Sequence, residues 1–362
     1  MRIAFILVAF SEALTRFPLG TFSLLDIDQT QILHDTSPYI YRSMVNFVID
    51  SPEKWTLLEG ENCFIGSTGL VPLVELKDFC FLPSPTQIAK LSRQFILFGP
   101  FYDWHHVNFG PLTEFEHSAG EHIFESRTSN KLAHCTNATR GWIWNLADSP
   151  ALLWWITHQQ VAPDLRHPKL GVMPIGFGYQ GWRIGNHGDV YIELWRRELV
   201  SLLYKWKHTR RTTLLLKSFT IHANLFGTTG DDPRSNLSRE LEKSPTLRDV
   251  PLRHFDTTEQ YSEAVRRSMF VLSPWGWGPD CFRHYEAIAQ GAIPIVLDEW
   301  TTNRALDGLP HLRVKAWSEL TQEKLEREYE LIHSRKYDLR RLTRDYWLRE
   351  LFQRSSNASV VC

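Results

Sequence analysis

Apolar runs alternate with amphipathic segments along the second half of the chain. The runs predict buried strands at residues 212–216, 269–273 and 293–297. Residues 281–290 have helical spacing, and Gly291 follows them as a residue suited to end a helix. Strands that alternate with helices indicate a parallel sheet with helices on both faces, so the predicted fold class is α/β.

Other segments repeat these patterns. Apolar residues at helical spacing predict a helix that starts at Asp189 and reaches Trp206. Asp256 and Glu259 have the spacing of a capping box, which predicts a helix over residues 257–267. Further strands are predicted at 94–98, 151–157, 171–175 and near 251–255, and further helices at 234–242 and within 318–352.

The length of 362 residues suggests two domains, at roughly 100–200 residues per domain. The regular alternation of strands and helices starts after residue 189. We therefore assign residues 1–185 to an N-terminal domain and residues 186–320 to a C-terminal domain. Residues 321–362, which are charged, are assigned to a C-terminal helical tail.

Charge and cysteine content exclude several classes of protein. The 40 Lys and Arg residues balance 41 Asp and Glu residues, which argues against a nucleic-acid partner. The five cysteines lack the spacing of a zinc site or a disulfide framework. The chain also contains 14 tryptophans, a count that becomes relevant if the ligand is a sugar.

The first 13 residues have two interpretations that stay open. Arg2 and the apolar residues after it fit either a short signal peptide or a buried first strand. A signal would place the protein in the secretory pathway, in the Golgi lumen, and would be the route to any membrane association. A strand would leave it in the cytoplasm. Glycosylation sequons at Asn137, Asn236 and Asn357 are compatible with the lumen.

Residues 270–300 have the strongest chemical pattern, a strand followed by a glycine-rich loop, a helix and a second strand. Ligands of parallel sheets bind beyond the carboxyl ends of the strands. Gly276 and Gly278 allow close approach of the backbone, and the helix that starts near Asp280 offers N–H groups to a phosphate. Arg283 suits a diphosphate, and Glu286 suits the hydroxyl groups of a ribose or sugar.

Structural alternatives exist for the same residues. Arg283 and Glu286 also have the spacing of an ion pair on a surface helix. Asp280 could serve only as the N-cap of its helix. Lys217 follows a predicted strand and is a second candidate for the diphosphate, or an ordinary lysine at a strand end.

The segment SPWGWGPDCFRHYEAIAQGAIPIVLD resembles the exostosin-like (GT47-type) glycosyltransferases, with their R-x-x-E-A and G-x-I-P pattern after a strand. The stretch HPKLGVMPIGFG is more loosely similar to the N-terminal half of related sequences. This resemblance implies a GT-B-like architecture, with two Rossmann-like domains and a cleft between them. Residues 1–185 would form the acceptor-side domain, and residues 186–320 the domain that binds the nucleotide sugar. It also implies inverting transfer from a nucleotide sugar to a hydroxyl of a glycan or glycoprotein. No cofactor is required in that scheme, and a divalent metal is possible but not indicated.

A transferase of this kind needs a base and a surface for the sugar. Asp103 and His105 follow one predicted strand, and His158 follows another, so these three are the candidate catalytic residues. Trp104, Trp275 and Trp277 are predicted in loops and are candidates for stacking on a sugar ring. Two other functions stay open: a nucleotide-sugar epimerase on the same fold, or a non-catalytic carbohydrate-binding protein.

Overall fold

The structure is a computed structural model. It describes residues 47–49, 52–59, 73–76, 83–99, 107–108, 140–157, 160–161, 167–177, 197–198, 205–206, 208–219, 237, 240–241, 243–275, 279–343, 346–347, 349–350 and 353. The described residues divide into two compact units, one from 47 to 173 together with 347–353, and one from 174 to 346.

The strands, in chain order, are β1 Phe47–Ile49, β2 Leu73–Leu76, β3 Phe95–Phe98, β4 Val107–Asn108, β5 Leu152–Thr157, β6 Gln160–Val161, β7 Leu170–Val172, β8 Thr213–Lys217, β9 Ser268–Leu272, β10 Ile293–Leu297 and β11 Leu312–Val314. The helices are α1 Pro85–Ile88, α2 Arg140–Asp148, α3 Pro245–Arg248, α4 Thr258–Arg266, α5 Phe282–Ala289, α6 Trp300–Ala305 and α7 Gln322–His333. Short 3₁₀ helices occur at Pro52–Leu58, Trp317–Glu319 and Leu339–Leu342.

The first unit contains a five-stranded sheet in the order β1-β2-β3-β5-β7, with every pairing parallel. All four residues of the central strand β3 are buried, as expected for a parallel strand covered on both faces. Trp155 is buried beside β3, and its indole N–H donates to the Gly99 carbonyl at 2.7 Å. A second, two-stranded parallel sheet pairs β4 with β6.

Helix α1 of the first unit has a complete capping box. The Ser84 hydroxyl accepts a hydrogen bond from the Gln87 N–H, and the Gln87 side chain accepts one from the Ser84 N–H. Pro85 occupies the first helical position, where its missing N–H removes no hydrogen bond.

The second unit contains a four-stranded parallel sheet in the order β11-β10-β9-β8. In β8, β9 and β10, side chains on the two faces lie in two separate apolar clusters: in β9, Val271 lies in one cluster, and Phe270 and Leu272 lie in the other. Helices α4 and α5 contribute to the first cluster, and α3 and α7 contribute to the second. The sheet is therefore covered by helices on both faces, as the sequence pattern predicts.

These observations confirm the α/β class and several predicted elements. Strands β3, β5, β8, β9 and β10 lie within one residue of their predicted positions, and β10 matches its prediction at both ends. Gly291 has the positive φ of 71° expected after a helix end. The boundary predicted at residue 185 and most of the helix predicted from Asp189 lie outside the described residues, so both stay predictions.

Other sequence predictions were wrong in detail. The N-cap of α4 is Thr257, whose hydroxyl accepts from the Gln260 N–H at 3.2 Å; Asp256 lies one residue too early for this role. The strand predicted near residues 251–255 is reduced to a single bridge between Leu252 and Lys217. Strand β11 and helix α6 were not predicted. In the part of the chain that the structure describes, no helix combines the length and the hydropathy needed to cross a bilayer.

Candidate functional site

The candidate site lies at the carboxyl edge of the second sheet. Because β8, β9 and β10 are parallel, the residues that follow them meet at this edge. Ser218 follows β8, Ser273 follows β9, and Glu299 comes two residues after β10. The chain after β9 continues into the first turn of helix α5, which supplies the remaining side chains.

Arg283 connects helix α5 to the end of β8. Its Nε donates a hydrogen bond to the Ser218 carbonyl at 3.0 Å, and its guanidinium lies 6.0 Å from the centre of the Phe219 ring. The side chain is 4% exposed. Arg283 and Glu286 are both buried, so the alternative of an ion pair on a surface helix is wrong about the surface position.

Lys217 is the last residue of β8, and its side chain is held by the protein. Its ammonium group donates to the Leu247 carbonyl at 2.6 Å, and burial lowers the pKa of the side chain. The ammonium carries further N–H donors, so this contact is compatible with a second role toward a phosphate. The sequence places Lys217 correctly at the strand end, and its role toward a ligand stays a prediction.

Asp280 joins the start of α5 to the segment that opens the second unit. One carboxylate oxygen accepts the Ile175 N–H at 2.8 Å, and the Tyr285 hydroxyl donates at 2.8 and 2.9 Å to the two oxygens. Burial raises the pKa of Asp280, and these hydrogen bonds oppose that shift. Asp280 is not the N-cap of α5, because Cys281 occupies that position. Its contacts support a positioning role, and direct contact with a donor stays a prediction.

A buried polar cluster lies directly beneath the loop after β9. The Ser273 hydroxyl is 2.7 Å from Nδ1 of His284, and the Cys281 sulfur is 3.6 Å from the same nitrogen. Burial alone would raise the pKa of the Cys281 thiol, but His284 and Arg283 lower it to about 6. Burial in turn lowers the pKa of His284, but Cys281 and Asp280 raise it overall. Each of the two side chains therefore shifts the pKa of the other toward its charged form.

The carboxyl end of α5 is held by two buried cations. Lys205 donates to the Ala289 carbonyl at 3.0 Å, and Arg211 donates to the Gln290 carbonyl at 3.4 Å. Positive charge at this end of a helix is favourable because the last carbonyl groups carry partial negative charge. Every residue of α5 from Arg283 onward is buried, so the helix is fixed at both ends within the second unit.

The structure brings together only part of the predicted site. Four of the predicted residues lie at or next to the carboxyl edge: Lys217, Trp275, Asp280 and Arg283. Glu286 is buried about one helical turn further along α5. The other predicted residues lie outside the described part of the chain; these are Asp103, Trp104, His105, His158, Gly276, Trp277 and Gly278. Their proposed roles stay predictions.

Two residues at this edge were missed by sequence reasoning. His284 lies between two predicted site residues, and its spacing from Cys281 on one helical turn is the signal that could have found it. Glu299 comes two residues after strand β10, and an acidic residue just beyond the end of a parallel strand is a comparable signal. Among the described residues, no group of three or more side chains is arranged to hold a metal ion.

Part of the chain is similar to known proteins. Residues 236–356 match the model of the family described as "RXYLT1 C-terminal domain". A stretch of 99 residues is 30% identical to "Ribitol-5-phosphate xylosyltransferase 1" of Danio rerio, over 24% of this chain. The match spans 23% of the length of that relative. These partial matches support the resemblance seen in the sequence at the coarse level of a glycosyltransferase family, and they do not select the exostosin-like family.

Proposed function

We propose that this protein is a glycosyltransferase that moves a sugar from a nucleotide sugar to a hydroxyl group of a glycan or glycoprotein. The observation that carries the proposal is the position of Arg283, buried in the first turn of α5 beside the carboxyl ends of β8 and β9. The match of residues 236–356 to a xylosyltransferase family supports the same function.

The chemistry of sugar transfer explains why this position matters. When the glycosidic bond to the donor breaks, negative charge develops on the leaving diphosphate. A guanidinium fixed through Nε on Ser218 can offer the N–H groups of Nη1 and Nη2 to phosphate oxygens. The N–H groups at the start of α5 add a favourable dipole at the same place. Lys217 is the second candidate for the diphosphate, and Glu286 is the candidate for the ribose.

The remaining parts of the reaction come from the sequence and stay predictions. Asp103, His105 or His158 would take the proton of the acceptor hydroxyl as the sugar transfers with inversion. The same proposal includes the GT-B arrangement of two Rossmann-like domains. It also includes the Golgi lumen as the location and a reaction that needs no metal. A retained activity in EDTA would support the metal-independent part.

The name of the zebrafish relative narrows the first donors and acceptors to test. That protein is named for xylosyl transfer and for ribitol 5-phosphate. We propose a pentose as the transferred sugar and a phosphorylated polyol within a glycan as the acceptor. Because the match covers only a quarter of each chain, hexose donors and plain glycan acceptors belong in the same panel.

The test starts with thermal unfolding of the full chain in the presence of UDP- and GDP-linked pentoses and hexoses. We expect at least one donor to raise the unfolding temperature, and UDP-xylose is the first candidate. Arg283→Ala should weaken that donor about tenfold or more, since a hydrogen bond to a charged group contributes roughly 1.5–3 kcal/mol. Arg283→Lys keeps the charge and serves as a second variant if Arg283→Ala unfolds.

Arg304→Ala is the matched control, because Arg304 is an exposed arginine on α6 of the same unit. Its donor affinity should equal that of the wild type. Unchanged donor affinity in Arg283→Ala would contradict the site, and no stabilisation by any nucleotide sugar would contradict the function. Product analysis with donor alone separates an epimerase, which needs no acceptor, from a transferase.

A further inference from the structure

Glu299 lies at the carboxyl edge of the second sheet, but the proposed function gives it no role so far. Strand β10 ends at Leu297, and the Glu299 N–H donates to the Leu297 carbonyl at 3.0 Å, so the chain turns at this point. Strand β9 is the neighbour of β10, and the loop after it carries Trp275. The indole N–H of Trp275 lies close enough to lower the pKa of the Glu299 carboxyl group. The two side chains therefore come together from adjacent strand ends.

The Glu299 carboxyl group is poorly satisfied by the protein. Its Oε2 atom is buried and accepts no hydrogen bond from any residue that the structure describes. Burial raises the pKa of the group to about 7, although Trp275 and the charge of His284 oppose the shift. A buried carboxylate oxygen without a hydrogen-bond partner destabilises the folded state. Native proteins contain few such atoms, so each one suggests a functional role such as ligand binding.

The fold itself does not use this carboxyl group. Glu299 occupies the N-cap of α6, where an acidic side chain usually accepts a hydrogen bond from the helix. Here the side chain makes no capping hydrogen bond, and the Glu299 backbone carbonyl accepts the Asn303 N–H at 2.9 Å. The adjacent Asp298 has a structural contact, since its carboxylate accepts the Asn303 side-chain amide at 2.7 Å. Helix formation therefore explains Asp298 but leaves Glu299 without a role.

We propose that Glu299 binds a hydroxyl group on the sugar part of the nucleotide-sugar donor through its Oε2 atom. The proposal rests on the function proposed above and extends it to a residue that helps select the donor. A hydroxyl group supplies the hydrogen-bond donor that Oε2 lacks. Trp275 brings an aromatic ring close to this carboxyl group, and a carboxylate beside an aromatic ring suits a sugar, which has both hydroxyl groups and apolar faces.

A nucleotide sugar has two sources of such hydroxyl groups, the ribose and the transferred sugar. Two ligands separate these sources: the nucleoside diphosphate alone, which contains only the ribose, and the complete donor. The experiment measures by calorimetry the affinities of UDP and UDP-xylose, or of the corresponding pair for whichever donor the panel identifies. The proteins are the wild-type chain, Glu299→Ala and Glu299→Gln. Glu259→Gln is the charge-matched control, because Glu259 is an exposed glutamate on α4.

We expect Glu299→Ala to weaken the donor about tenfold or more, and Glu299→Gln to weaken it less because an amide oxygen still accepts. Unchanged affinity for the diphosphate alone would assign the contact to the transferred sugar, and an equal loss would assign it to the ribose. A donor that lacks the contacted hydroxyl should bind the wild type and Glu299→Ala equally well. A series of monodeoxy donors therefore identifies that hydroxyl.

Two failures have different meanings. If the wild type binds a nucleotide sugar and Glu299→Ala binds it equally well, the role of Glu299 is overturned while the proposed function stands. If the wild type binds no nucleotide sugar in the panel, the proposed function is overturned, and the role of Glu299 with it.

Discussion

Gly291→Ala tests whether the end of helix α5 is built as tightly as the structure indicates. Gly291 has φ 71°, a left-handed conformation that costs an L-residue roughly 1–2 kcal/mol. A Cβ atom at this position would lie 2.6 Å from Nη2 of Arg211. The substitution therefore adds both backbone strain and a collision with a side chain.

The collision matters because Arg211 cannot move without losing contacts. It is 7% exposed and donates to the carbonyl groups of Arg266, Ser268 and Gln290 at 2.6, 3.2 and 3.4 Å. Loss of one hydrogen bond from a charged donor costs roughly 1.5–3 kcal/mol. Together with the backbone strain, we expect Gly291→Ala to lower the free energy of unfolding by about 2.5–5 kcal/mol. That is a large fraction of the roughly 5–15 kcal/mol typical of a folded protein.

Gly308→Ala is the matched control. Gly308 has nearly the same φ of 74°, but its added Cβ would meet only the Arg341 Cδ atom, at 3.2 Å. This variant should lose only the backbone cost, about 1–2 kcal/mol. Urea unfolding of both variants and the wild type gives the two free energies. If the two variants lose the same free energy of unfolding, this explanation is wrong, because the Arg211 side chain would then move aside without any loss of stability.

Three further predictions concern the two units. Glu299→Gln should stabilise the ligand-free protein by roughly 2–3 kcal/mol at pH 8 but not below pH 4.5. The reason is that the raised folded-state pKa of about 7 makes the wild type lose stability as pH rises from 4.5 to 7; a pH-independent difference would contradict it. Asp280→Ala should cost roughly 3–4 kcal/mol, because it leaves the Ile175 N–H and the Tyr285 hydroxyl without their acceptor; a loss under 1 kcal/mol in chemical unfolding would exclude the positioning role. Ser84→Ala should lower the free energy of unfolding by about 1 kcal/mol, because α1 loses its N-terminal cap. An unchanged free energy in the same assay would contradict the capping box.

The strands of the second sheet were predictable because burial on both faces makes them continuous apolar runs. Residues 269–273 and 293–297 have this pattern, and they became β9 and β10. Gly291 was predictable because a helix end needs a residue that tolerates positive φ. The cap of α4 was misplaced by one residue because Asp256, Thr257 and Thr258 are all capping residues, and only the backbone conformation selects Thr257.

The chemical site was less predictable because it depends on contacts between distant segments. Arg283 and Glu286 were found from a local pattern, but their burial depends on how α4 and α5 pack on the sheet. The contacts of Asp280 with Ile175 and of Arg283 with Ser218 join residues far apart in sequence. Glu299 reads as an ordinary polar residue after a strand, and only its buried oxygen distinguishes it from Asp298.

The burial of α5 on all sides has a consequence for how the chain tolerates mutation. An amphipathic helix such as α7, in which Leu325 and Ile332 are buried among exposed residues, should show intolerant positions at helical intervals. In α5 the residues from Arg283 to Ala289 have no solvent-facing position among them. A saturation mutagenesis scan should therefore record α5 as one uninterrupted block of intolerant positions, without the periodic pattern that normally identifies a helix in such data.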